Sequence, residues 1–333
     1  MVRTHLCFVC GIGKLTRFRC VVNKVVLSGT AGYDVTWKDE RCDKLQSEHL
    51  DYVVLAIGGL HKPKMIAPAS GRVIHASMMT EADTVSLKGK NVLIVGAASS
   101  GTQMVGPLVN KYAANFVTLC APRGQWFVPG ATIEHSLKTL LDFWMQFVPL
   151  GPAVLRAWEQ GFGAIRSEAY RTGKSAFLTL IEEYTKACYK MTNLEALAPT
   201  HSVQGTRVVV DYDFFDSVYN RKNVHYVKGR ISEVLDGEGG VSVKINGKTQ
   251  LFDAVIMATG FETEDFFGGR LASLGLEVED LATNFFGIQI RGLSDCFFLV
   301  GPNTITQGAS ITHVIEIQAR AILKLIEISR NGL

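Results

Sequence analysis

At 333 residues the chain is long enough for about two domains of ordinary size. With 47% hydrophobic residues, 20% charged residues and 9 prolines it can bury a large core, which excludes disordered, collagenous and low-complexity classes. A formal charge of +3 from 34 basic and 31 acidic residues, with no long run of like charge, leaves no electrostatic footprint for nucleic acid or an anionic bilayer.

Seven cysteines show no disulfide-framework spacing and leave an odd thiol, so a cytoplasmic location is expected and secretion is not. The start, MVRTHLCFVCGIGK, has an apolar patch only from Leu6 to Cys10, too short for a signal-peptide core. Cys7 and Cys10 form a CxxC inside that run, away from any strand-to-helix site where a redox pair belongs. Short β-branched runs separated by turn residues then read as strands: RFRCVVNKVVL from Arg17, YDVTW from Tyr33, YVVLAIGG from Tyr52, NVLIVGA from Asn91 and NFVTLC from Asn115. Positions 132–200 carry helical spacing instead, through Leu137, Leu140, Leu141, Trp144 and Phe147, and later Phe177, Leu180, Ile181 and Tyr184. Phe143 and Trp158 in the same stretch are read as core side chains. A second set of strands, VHYVKG, VSVKING, FDAVIMATG and CFFLVG, follows residue 223. The last segment predicts a packed helix from Ile311, apolar at 311, 314, 315, 321, 322, 325 and 326, with Ser310 as N-cap. No apolar stretch reaches the about 20 residues of a membrane helix, which leaves only peripheral membrane contact open. The eight histidines offer no HxxxH or HExxH spacing, so no metal site is expected.

The most informative stretch is KNVLIVGAASSG at 90–101, followed by TQMVGPLVNKYA and a second strand ending near Cys120. A buried strand runs into Gly96, Ala98 and Gly101 and then into a helix, which is a βαβ dinucleotide turn. Gly96 permits the tight turn, the small Ala98 lets backbone approach a pyrophosphate, Gly101 lets helix and strand pack closely, and the helix start offers N–H donors. The alternative is a purely structural strand-to-helix turn. An NAD site would place a carboxylate after the next strand to hold the ribose 2′-hydroxyl. The chain reads TLCAPRGQWFVP there and offers Arg123, which suits the 2′-phosphate of NADP, or else is a solvated loop cation.

With these residues in view, the chain resembles the class B flavoprotein monooxygenases, the group of flavin-containing and Baeyer–Villiger monooxygenases. The resemblance runs almost end to end. ASGRVIHASMM at 69–79 is a partial match to the family's FxGxxxHxxxW fingerprint, keeping Gly71 and His75 but with Ala69 and Met79 at its aromatic ends. FDAVIMATGF at 252–261 is similar to the strand-turn that passes between the two nucleotide domains, and GPNTITQGASITHVIEIQ at 301–318 to the C-terminal flavin-contacting segment. APTHSVQGTRVVVDYDFFDSVYNRKNV at 198–224 looks most like the Baeyer–Villiger branch, with Arg207 at the position of the arginine held over the flavin and Thr206 where that branch has a lysine.

The resemblance implies an α/β fold of two Rossmann-like domains, for FAD and NAD(P), with the flavin domain incomplete. The expected division is a remnant of the FAD domain at 1–75, an NADP domain at 76–262 with a helical insert at 131–200, and a C-terminal part of the FAD domain at 263–333. It implies NADPH- and FAD-dependent insertion of one oxygen atom from O2 into a small organic substrate through a flavin C4a-peroxide, converting a ketone to an ester or oxygenating nitrogen or sulfur. Arg207 would be catalytic. Gly96, Ala98, Ser99, Ser100, Gly101, Gln103, Arg123, Thr259, Gly260, Pro302 and Asn303 would hold the cofactors, with Gln307 also near the flavin edge and His75 bracing the two domains. The family's opening GxGxxG unit has no counterpart in this chain, so flavin binding by this chain alone is expected to be weak and activity impaired. A non-catalytic NADP-binding or protein-interaction module is the rival expectation.

Overall fold

The computed structural model describes residues 12–29, 31–60, 62–130, 176–203, 207–262, 266–276, 281, 283–304 and 311–331. Cys7, Cys10, Phe143, Trp144, Phe147, Trp158, Thr206, Gln307 and Ser310 lie outside them. The chain forms two compact units, one of residues 1–59, 263–305 and 314–333, the other of residues 60–262 and 306–313.

The second unit is built on a parallel sheet of β1 (Val73–His75), β2 (Asn91–Val95), β3 (Phe116–Ala121), β4 (Val224–Lys228) and β5 (Ala254–Met257), in the order β4-β3-β2-β5-β1. A parallel sheet is covered on both faces, so its strands read as continuous apolar runs, and all four residues of β5 are buried. Along β2 the faces alternate. Val92 and Ile94 join a core with Val105 and Leu108 of helix α1 (Ser99–Asn110). Leu93 and Val95 join Val241, Val243 and Ile245 from an antiparallel meander, Ile231–Gly237, Gly240–Ile245 and Lys248–Phe252, on the opposite face. Each fully buried Leu or Ile here stabilises the sheet by roughly 1.5–3 kcal/mol.

Helix α2 (Ala176–Met191) buries Leu178, Ile181 and Tyr189. Leu180, expected on the apolar face, is instead exposed, because it lies about 100° round the helix from Ile181. Thr185, fully buried on the same helix, accepts from the Phe127 N–H at 2.9 Å and donates to the Phe127 carbonyl at 3.1 Å. It thereby satisfies the free backbone groups of Phe127 in the strand Phe127–Pro129, which among the described residues pairs only with Val209–Asp211.

In the first unit, Cys20–Leu27, Tyr33–Asp39 and Lys44–Leu50 form an antiparallel sheet. The alternating burial of Tyr33, Val35 and Trp37 faces a core with Val25, Leu271 and Phe298. A second sheet joins Asn284–Phe285, Gln289–Ile290, Cys296–Phe298 and Val53–Leu55, the last two parallel. The terminal helix α3 (Ile311–Arg330) buries Ile322 against Ile288 and Phe297. Ile311 at its start is exposed rather than packed, since it lies well before Ala321, where the helix begins to pack on this sheet. Among the described residues no helix is long and apolar enough to cross a membrane, and no cluster of metal-binding side chains occurs.

Candidate nucleotide-binding site

From β2 the chain crosses through α1 to β3 on one side, while β5 and β1 lie on the other. The strand order therefore reverses beside the carboxyl end of β2, which is where open α/β sheets form a ligand crevice. Gly96, the first residue past β2, has a φ of +108°, and a Cβ there would run into the Ala258 carbonyl oxygen and stand 3.0 Å from its carbon. A Cβ on Gly101 would overlap the Gly96 carbonyl in the same way, 2.9 Å from its carbon. Two close backbone approaches thus demand glycine. Ala98 is the N-cap of α1 and no side chain caps the helix, so its opening N–H groups carry their partial positive charge toward whatever occupies the turn. Glycines at both tight approaches and an uncapped helix start form a cradle that fits a dinucleotide pyrophosphate.

A cavity of about 250 Å³ opens beside this turn, lined by His75, Ala76, Ser77, Ser100, Gln103, Met104, Ala258, Gly260 and Phe261. None of these side chains is acidic, so the crevice imposes no charge penalty on an anion. His75 is buried. Its Nδ1 accepts the Ser77 N–H at 3.2 Å, as the cap of a short 3₁₀ turn, which leaves the ring proton on Nε2 to donate to the Gly260 carbonyl at 2.9 Å. The Phe261 ring meets the imidazole edge-on at 5.3 Å. His75 therefore makes its bonds within its own unit, to Ser77 and Gly260, and shapes the crevice wall.

Of the expected cofactor residues, Ser100, Gln103 and Gly260 line the cavity, while Gly96, Ala98, Ser99 and Gly101 form the turn beside it. The Thr259 hydroxyl donates to the Lys64 carbonyl. Arg123 is exposed on the loop after β3, and the Tyr226 hydroxyl donates to its carbonyl at 3.4 Å. Burial, and then the Arg123 charge, hold the His201 imidazole below its usual range, so positive potential extends from Arg123 toward that ring. Arg207 is exposed, two residues before the strand Val209–Asp211, and does not line the cavity.

Pro302 and Asn303 belong to the first unit. There Cys296–Phe298 and Val53–Leu55 run parallel, so the turns that follow them, Leu299–Asn303 and Ala56–Gly59, share one carboxyl edge. Gly58 has a φ of +64° with open space where a Cβ would stand, Pro302 is buried and Asn303 is exposed. The exposed Asn303 amide and the open space at Gly58 leave a polar group and room at this edge. The described residues of the unit hold no second turn of the kind opening at Gly96, so they supply no cradle for the FAD pyrophosphate. The engagement of both His75 ring nitrogens in the crevice wall has no mark in the sequence, whereas one buried polar side chain of the first unit, Gln318, does. The signal for Gln318 was a polar residue on the apolar stripe of α3, one turn from Val314 and Ile315 and one from Ala321 and Ile322.

No family model matches the chain. An uncharacterized monooxygenase of Mycobacterium bovis is 25% identical over 309 residues, covering 88% of this chain and 60% of its own length. A Baeyer–Villiger monooxygenase of Pseudomonas aeruginosa is 22% identical over 301 residues, covering 84% of this chain and 54% of its own length. The chain thus spans little more than half the length of these relatives. Among solved structures, OTEMO in complex with FAD and NADP matches 99% of this chain and 69% of its own, with a TM-score of 0.70 at 18% identity. Cyclohexanone monooxygenase from Rhodococcus sp. Phi1 bound to NADP+ matches 98% and 68%, with a TM-score of 0.67 at 20% identity. The chain has the α/β fold of the Baeyer–Villiger monooxygenases and is similar to them in sequence, as the motifs at 252–261 and 301–318 lead one to expect.

Proposed function

We propose that this chain is an NADPH- and FAD-dependent monooxygenase, or the greater part of one, that oxygenates a small organic substrate such as a ketone, an amine or a sulfide. The observation that carries the reading is the glycine cradle at the reversal of strand order, paired with a cation and no carboxylate on the loop after the next strand. Together NADPH and FAD would supply hydride transfer and oxygen activation.

This chain's own share is to bind and orient. The backbone at 96–101 takes the NADP pyrophosphate, and Arg123 pairs with the 2′-phosphate. His75 fixes the Gly260 turn, which keeps the crevice wall in one shape. Ala258, Met104 and Phe261 form its apolar side and exclude water. Arg207 would offer its guanidinium to an anionic group of a bound cofactor or substrate, and Asn303 would offer a hydrogen-bonding amide to a flavin ring. The likeness to relatives named as monooxygenases supports the reaction class.

The test is a titration with NADP+ and NAD+ followed by Trp emission, Trp126 being buried near Arg123, together with the visible spectrum of the purified chain and its bleaching by NADPH under nitrogen. Preference for NADP+ and a bleachable flavin support the reading. NADP+ binding by a chain that takes up no flavin favours the non-catalytic module instead. No response to either nucleotide overturns the enzyme reading and an NADP-binding module alike.

A further inference from the structure

In the first unit two bulky residues hold a left-handed backbone, Phe286 at a φ of +48° and Val300 at +56°. Such conformations are costly for an aromatic or β-branched side chain and persist only where the surroundings over-determine them. One side chain reaches both. Gln318, buried on α3, accepts the Val300 N–H on its Oε1 at 2.8 Å and donates from Nε2 to the Phe286 carbonyl at 3.2 Å. The two turns are also pressed together as backbones. A Cβ on Gly287 would strike the Thr304 methyl and stand 2.7 Å from the Pro302 carbonyl oxygen, and one on Gly301 would overlap the Gly287 carbonyl. The Thr304 hydroxyl closes the second turn onto the Gly301 carbonyl at 2.6 Å.

We infer that Gln318 is a positioning residue for the flavin: its amide joins the Phe286 and Val300 turns and so presets the Val300–Asn303 backbone at the carboxyl edge of the parallel pair. The inference rests on the flavin reading above. The amide is needed in both its capacities, since a carboxylate at this position could accept from Val300 but not donate to Phe286, and a thioether could do neither. Nothing in packing alone requires this, because Met fills nearly the same volume.

The test compares the full-length wild type with Gln318→Met and Gln318→Glu. Each is titrated with FAD by flavin fluorescence and visible absorption, and the exchange of the Val300 amide is followed. Loss of a buried hydrogen-bond partner is expected to weaken FAD binding by at least about tenfold in Gln318→Met. Val300 exchange should accelerate in that variant and remain protected in Gln318→Glu, which should bind FAD with intermediate affinity. Acidification that protonates the introduced carboxyl restores a donor and should bring FAD affinity back toward wild type, a rescue that a role in packing would not produce. A Gln318→Met protein that takes up FAD as the wild type does overturns the inference while leaving the flavin reading standing. Wild type that takes up no FAD overturns the flavin reading itself. Should Gln318→Met fail to fold, wild-type affinity in Gln318→Glu at neutral pH overturns the inference.

Discussion

Replacing Gly101 by Ala sets two physical effects of opposite sign against each other. In an ordinary helix the change is favourable by about 1 kcal/mol, because Gly loses the most backbone freedom on folding. Here the added methyl overlaps the Gly96 carbonyl. That carbonyl has little room to retreat, since the Gly96 N–H is bonded to Cys120 at 2.9 Å and the Gly96 Cα lies against Ala258. Forcing a methyl into packed structure costs about 1–3 kcal/mol, with backbone at the upper end. The net expectation is a loss of about 1–2 kcal/mol, equivalent to a fall in Tm of roughly 2–8 °C for a unit of this size. Denaturant unfolding followed by Trp126 emission reads the stability, and NADP+ titration of the folded protein reads the site, where affinity should fall as helix and turn separate. Gly71→Ala is the control. Gly71 has nothing within 4 Å of the place a methyl would take and no positive φ, so the same substitution should leave stability unchanged or raise it by about 0.4–1 kcal/mol. A Gly101→Ala protein as stable as wild type, with unaltered nucleotide affinity, would refute the close-approach argument.

Thr185→Val keeps shape but strands both backbone groups of Phe127, and should cost about 2–4 kcal/mol in urea unfolding. Arg123→Ala should lower affinity for NADP+ while barely changing that for NAD+, measured by parallel titrations; equal losses for both would remove Arg123 from the 2′-phosphate. Burial raises the Cys120 thiol from 9.0 to about 11 and Cys296 to about 12, and, with nearby charges, Tyr33 to about 12. The folded chain keeps these protons at pH values where the unfolded chain releases them, so their contribution is full below the unfolded thiol value and is lost as pH rises through the folded ones. Tm should therefore decline from about pH 9 upward, the thiols acting first, and a flat alkaline profile would contradict their burial.

The parallel sheet was legible because burial on both faces writes an unbroken apolar run, as in NVLIV before Gly96, and the glycines that follow announce the turn. Other elements leave no such mark. Lys44–Leu50 is polar and largely exposed, and becomes a strand only because Tyr33–Asp39 offers it a full ladder of hydrogen bonds. Phe127–Pro129 pairs with Val209–Asp211 across a long stretch of chain, a contact that local propensity cannot encode. The site divided likewise. Gly96 and Gly101 stand out by motif spacing, and Ser100, Gln103 and Gly260, expected from the family resemblance, line the cavity, whereas Arg207 stands outside it. The part played by His75 emerged only from bonds that join residues far apart in sequence.

In the second unit the chain arrives and departs side by side. Pro63 and Phe261 form an antiparallel bridge, the Lys64 and Glu262 N–H groups donate to Gly260 and Lys62 at 2.9 Å each, and Lys62 pairs with Glu262. Entry and exit are thus stitched, so residues 62–262 constitute a cassette whose ends meet at the wall of the crevice. A piece of chain closed in this way carries its dinucleotide turn between joined ends.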